Sequence, residues 1–147
     1  MTGNKKNVLE SAPRILDNIA GRSFLDSLTK FRFKKFPVYQ DAKEYCRFCR
    51  DITDTYIRKK DPGLASQIDR ALVSIVLNIT EGSADLSADE FARFLSISVR
   101  SVYETVAAFD LALLYRLISD KLNENIESRA HSLVRQLCAF RNSLRKK

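Results

Sequence analysis

Residues 87–118 read SADEFARFLSISVRSVYETVAAFDLALLYRLI, and their spacing decides the fold. Ser87, with Glu90 three residues later, is a capping box at a helix start. Apolar and small side chains then recur at Phe91, Leu95, Ser98, Val102, Val106, Phe109, Leu113 and Leu117, the one-face pattern of an α-helix. A helix over this run spans roughly 45 Å at 1.5 Å per residue. A weaker second stripe on it, Ile97, Ser101, Glu104, Ala108, Leu111 and Tyr115, holds small residues that let another helix approach closely. Ser119 or Asp120 then caps a further helix after a very short turn, which makes the two antiparallel neighbours. In that helix Leu122, Ile126, Ala130, Leu133, Leu137, Phe140 and Leu144 form a seam with a period near 3.5, the spacing of bundle packing.

Moving outward to the N-terminal side, Asp61-Pro62 starts another helix with a capping residue and a proline at its first position, and Gly82 is expected to end it. Seven of the nine residues from Ala71 to Ile79 are apolar and several are β-branched, so a buried strand competes. The spacing of Leu64, Ile68, Ala71, Leu72, Ile75 and Ile79 decides for helix. Because this helix is apolar nearly all round, a second burial surface on another subunit is expected, with Val73, Val76 and Leu77 facing it. Before it, Tyr39, Ala42, Tyr45, Cys46, Cys49, Ile52, Thr53 and Tyr56 mark a helix over about 37–59. Residues 31–147 are thus predicted to be an all-α, up-down-up-down four-helix bundle. Residues 1–30 read as a separate arm with a short helix capped by Ser11, running through Ile15, Leu16 and Ile19 with Gly21 just past its end, and marginal alone.

Composition agrees. The chain has 147 residues, enough for one domain, and four glycines, three prolines and no tryptophan supply little material for the turns of a sandwich or barrel. No run approaches the roughly 20 apolar residues of a membrane span, and the first residues, Met-Thr-Gly-Asn-Lys-Lys, lack the apolar core of a signal peptide. Three cysteines argue against a disulfide framework. A soluble, cytoplasmic protein is expected. The net charge of +7 hides an uneven distribution: residues 30–60 and 129–147 each carry +6, while residues 61–128 carry −6.

In an up-down-up-down bundle the first and last helices are neighbours, which is expected to bring the two basic segments side by side. Lys43, Arg47, Arg50 and Arg58 would then share a face with Arg129, Arg135, Arg141 and Arg145, and Lys59 and Lys60 would extend it. Such a face suits RNA or DNA backbones, bound with little sequence preference and steep salt dependence. The same cations also suit a solvated face, or a flank docked on the acidic side of a neighbouring subunit. Asp54, one turn from both Arg50 and Arg58, is expected to offset part of their field. Aromatic residues interleave with the cations; most share the apolar stripe, and Phe48 lies off it as the candidate for stacking a base. Cys46-Arg47-Phe48-Cys49 is a lone CxxC, which with Cys138 and His131 could complete four metal ligands, but buried cysteines packing as small hydrophobes explain it more simply. No metal or cofactor is called for. With one histidine, and with no glycine-rich phosphate loop, G-x-S-x-G or H-E-x-x-H, no enzyme is expected.

Arg70-Ala71-x-x-Ser74-Ile75-x-x-Asn78-Ile79-x-Glu81-Gly82, then Phe91-x-Arg93-Phe94-Leu95-Ser96-Ile97 and Ser101-x-x-Glu104, resembles the four-helix bundle proteins first met as 23S rRNA intervening-sequence proteins. Val38-Tyr39-Gln40-x-Ala42 is similar to the opening of that family's first helix. The pattern departs at Val76, where the family usually has proline, and at Ser98 and Arg100, where it has a small residue and glycine. The resemblance implies a homopentameric ring. It also brings in relatives by fold, the accessory variability proteins of diversity-generating retroelements, which are basic pentamers that bind nucleic acid and hold a reverse transcriptase. Two functions therefore stand open: an oligomeric nucleic-acid-binding bundle, as accessory to a reverse transcriptase, or a homo-oligomeric scaffold with no nucleic-acid role.

Overall fold

A computed structural model describes residues 31–84 and 87–146; the arm expected at residues 1–30 lies outside the described residues. Phe33–Lys147 forms one packed unit. A 3-10 turn at Arg32–Lys35 leads into α1 (Pro37–Ile52), which a π turn continues over Thr53–Ile57. α2 spans Pro62–Ala84, α3 Ala88–Leu114 and α4 Asp120–Arg145. No strand occurs among the described residues, so the chain is all-α with four long helices.

The helix starts follow from local chemistry. Pro37 begins α1, Asp61 accepts the Leu64 N–H at 2.9 Å ahead of Pro62, and Ser119 accepts the Leu122 N–H at 3.2 Å. Ser87 accepts the Glu90 N–H at 3.3 Å, but the Glu90 carboxylate is engaged by Arg93 at 2.9 Å, so only the forward half of the expected capping box forms.

Three helix ends differ from expectation, each for a packing reason. α2 runs past Gly82, because that glycine serves contact rather than termination: a Cβ there would meet Phe91 at 2.5 Å and Phe94 at 2.8 Å. α3 stops at Leu114, four residues short of Ile118. The Leu117 N–H bonds back to the Ala112 carbonyl and the Arg116 N–H to that of Leu113, both at 2.9 Å, with Arg116 at φ 60°. This is a Schellman closure with arginine in the left-handed position that glycine usually takes. In α1 the Arg58 N–H reaches five residues back to the Thr53 carbonyl at 2.9 Å. The extra residue rotates the turn, so Ile57 enters the core and Tyr56, expected in the stripe, points outward.

Contacts run between α1 and α2, α2 and α3, α3 and α4, and α1 and α4. The apolar stripes meet in one core that includes Ile68, Ile75, Leu95, Val102, Phe109, Ile126 and Leu137. At one end Phe36, Phe91 and Phe140 close on each other with ring centroids 5.1–6.1 Å apart. At mid-height the buried hydroxyls of Tyr45 and Thr105 share a hydrogen bond of 2.8 Å across the core. α2 and α3 are pinned by polar contacts between small residues: Ser98 donates to the Ile75 carbonyl and Ser74 pairs with Ser101, both at 2.8 Å. Asn78 donates to the carbonyl and hydroxyl of Ser74, tying it to the same contact.

Candidate nucleic-acid interface and assembly faces

The basic residues expected on one surface are divided by the structure. On α1, Arg47 and Arg50 turn toward α2 and line a groove of about 360 Å³ with Asp69, Leu72, Val73, Val76 and Leu77. The flank of α1 toward α4 instead offers Asp41 and Glu44, which share a smaller groove with Arg129, Ser132 and Gln136. Side-chain direction drifts along α1, so Asp41 and Glu44 lie toward α4 while Arg47 and Arg50 lie toward α2.

Several of these cations already have partners. Arg47 pairs with Glu44 at 2.7 Å. Arg58 binds Asp54 at 2.6 Å and Asp69 at 2.9 Å, and Arg50 lies 3.5 Å from both carboxylates. The hydrogen bond from Arg58, reinforced by the charges of Arg58 and Arg50, holds the Asp54 carboxyl below the usual carboxylate range. Asp69, absent from the sequence reading, gives no local signal; the π turn brings Arg58 to it. Lys43 sits 5.0 Å from the Tyr39 ring centroid, and Arg129 lies 4.0 Å above Phe48, so a face of the candidate base-stacking ring is already covered. Arg141 is half-buried and donates to Ser96 at 3.3 Å. Lys59, Lys60, Arg135 and Arg145 are exposed.

The expected assembly residues also divide. Val73, Leu77, Leu111 and Tyr115 are exposed, and Val76 and Ile97 are half-buried. Ser101 and Ala108, expected at the same interface, are at 5% and 8% exposure buried within this chain, Ser101 against Ser74 of α2. The sequence reading missed Tyr103 and Leu114, the most exposed large apolar side chains of α3, which fall outside both of its stripes.

The CxxC thiols are core groups. Cys46 donates to the Leu72 carbonyl at 3.2 Å, and burial pushes both Cys46 and Cys49 up to about 12, which keeps the thiols protonated at neutral pH. Among the described residues no group of three His, Cys, Asp or Glu could hold a metal ion, and no helix is long and apolar enough to cross a membrane.

Fold and surface together define an all-α four-helix protein whose prominent outer features are apolar helix faces and a last helix that is cationic from Arg129 onward. Residues 34–139 match the family model of the 23S rRNA-intervening sequence protein, and the chain belongs to that family. Among curated proteins none matches the chain.

Proposed function

We propose that the chain is a non-enzymatic scaffold, an up-down-up-down bundle whose copies assemble through the outer faces of α2 and α3 and close into a ring. The observation that carries this reading is the exposure of large apolar side chains on two helices: Val73 at 52% and Leu77 at 51% along α2, Tyr103 at 66% along α3 and Leu114 at 70% at its end. Contiguous apolar patches on a soluble protein mark surfaces that another body covers. The up-down order draws support from the meeting of Phe36 and Phe91, near the starts of α1 and α3, with Phe140 near the end of α4. Light scattering on the purified protein tests the reading. A mass several times the 16.8 kDa chain is expected, five times for the ring the resemblance implies, and a monomer at every concentration overturns it.

A second reading, RNA binding, is favoured by one observation on α4. From Arg129 onward the chain has six cations and no acid, with Arg135, Arg145 and Lys146 exposed. The family's description as a 23S rRNA-intervening sequence protein points the same way. The α1 cations contribute less to this reading than the sequence suggested, because Arg47, Arg50 and Arg58 are shared with carboxylates of the same chain. A mobility shift with RNA that persists undiminished in Arg135→Glu/Arg145→Glu would remove it.

A further inference from the structure

The seam between α3 and α4 holds a donor with nothing to donate to. Arg141 of α4 is half-buried, and its Nη1 donates to the Ser96 hydroxyl of α3 at 3.3 Å; that hydroxyl donates onward to the Ala92 carbonyl at 3.1 Å. The Arg141 Nε is shut off from solvent and has no acceptor. In a guanidinium the Nε–H points along the same edge as an Nη2–H, and that edge is the fork that grips two oxygens of one phosphate. Ser96 occupies Nη1, so the fork is unspent. Around it, Arg93 is held by Glu90 at 2.9 Å, and the exposed acids Asp89 and Glu104 lie two turns before Ser96 and two turns beyond it. Arg100, one turn on from Ser96, and Arg145, one turn on from Arg141, are exposed and enter no ion pair among the described residues. Seven residues on from Ser96 and seven back from Arg141, the same seam opens into a groove of about 240 Å³. That step is about 10 Å along each helix axis. Val102, Val106 and Val134 line the groove with the exposed ring of Tyr103, and Glu127 and His131 form its polar rim. Asn123 donates to Glu127 Oε1 at 3.4 Å, which leaves Oε2 open as an acceptor.

We propose that this seam is a binding site for a nucleoside phosphate, with the phosphate in the Arg141 fork and the base in the groove beside Tyr103. A half-buried arginine turns its edge to a ligand by rotating about its own side-chain bonds, and Arg100 and Arg145 flank the phosphate from α3 and α4. The base stacks on the Tyr103 ring against the valines, and its amino group donates to Glu127 Oε2. The two ends suit the two ends of such a ligand. Glu127 lies fourteen residues from Arg141, about 21 Å of helix axis, so its charge does not oppose the phosphate. A bare anion would satisfy the fork and leave the apolar groove unfilled, and an uncharged ring would fill the groove and leave the Nε–H without an acceptor. All of these groups belong to one chain, so the site forms in a single copy and depends on neither the scaffold nor the RNA reading.

Titration calorimetry of the full chain with ADP, adenosine and inorganic phosphate tests this. One ADP per chain is expected, with adenosine and phosphate each binding about tenfold more weakly or worse, because each engages one end of the site. Arg141→Gln is expected to weaken ADP by about tenfold or more, through loss of the charged fork. Tyr103→Ala is expected to weaken ADP by about fivefold or more and to leave phosphate unchanged. Circular dichroism with a cooperative melt verifies that each variant folds, and Arg100→Ala, at an exposed position, serves as the second cation variant should Arg141→Gln melt early. Absence of ADP binding at millimolar concentration overturns the proposal, as does phosphate that binds as tightly as ADP. ADP affinity indifferent to Tyr103→Ala and to the arginine variants overturns it too. RNA that binds through Arg141 where ADP does not also overturns it, and that outcome leaves the RNA reading standing.

Discussion

Tyr45 and Thr105 show how a single polar pair is accommodated inside an apolar core. Thr105 donates to the Val102 carbonyl at 2.7 Å, which leaves its oxygen to accept from the Tyr45 hydroxyl. Tyr45→Phe is expected to cost about 1 kcal/mol, while Thr105→Val, which strands a buried phenol hydroxyl, costs about 1–3 kcal/mol. The double variant should lie closer to the parent than the sum, and urea titration of all four proteins measures this coupling. Gly82→Ala is expected to destabilise by about 1–3 kcal/mol, because the added methyl overlaps Phe91 and the backbone-proximal Cβ of Phe94. Arg116→Gly acts in the opposite sense: relief of the left-handed strain at φ 60° should raise stability by about 0.5–1 kcal/mol, read as an increase in Tm. Neither position was legible beforehand. A glycine after an apolar run looks like a helix end whatever it touches, and an arginine carries no mark of the conformation that the Leu117 and Arg116 bonds impose on it.

At the scale of the helix, existence and facing were readable and phase was not. Every core residue named on α2 and α4 follows the 3.6-residue period, because burial of one stripe is the main force holding such helices in place. The period fails in α1 at one turn. Tyr56 matches the stripe by count, yet the π turn spends one extra residue and gives the inner position to Ile57, a gain that depends on packing partners far away in sequence. That turn also sets the Asp54–Arg58–Asp69 cluster, whose pH dependence has a definite sign. Asp54 titrates below its unfolded range, so the stabilisation from its pairing is complete above that range and is lost as the pH falls through the lower, folded value. The stability difference between the parent and Asp54→Asn is therefore expected to shrink between about pH 5 and about pH 2 in acid-unfolding curves. Asp54 is exposed and Arg58 half-buried, so added salt should shrink it as well.

Over the whole molecule, the bundle was readable from spacing and caps, but the candidate surface was not, since net charge per segment ignores which flank of a helix each charge occupies. Arg47 and Asp41 differ by six positions and face different neighbours. The last helix escapes this problem from Arg129 onward, where it has no acids to alternate with its cations. If α4 holds RNA backbone, log affinity should fall linearly with log salt, and Arg135→Glu/Arg145→Glu should flatten that slope by about 1–2 or more while leaving the particle mass unchanged. Equal slopes for the two proteins would locate any RNA contact elsewhere. The aromatic triad at the end of the bundle carries a further consequence, for biosynthesis. Its rings come from positions about a hundred residues apart, so this end cannot be sealed early. While the ribosome is still translating the last helix, Phe36 and Phe91 wait without their third partner, and the nascent bundle stays open at the seam where a chaperone would find it.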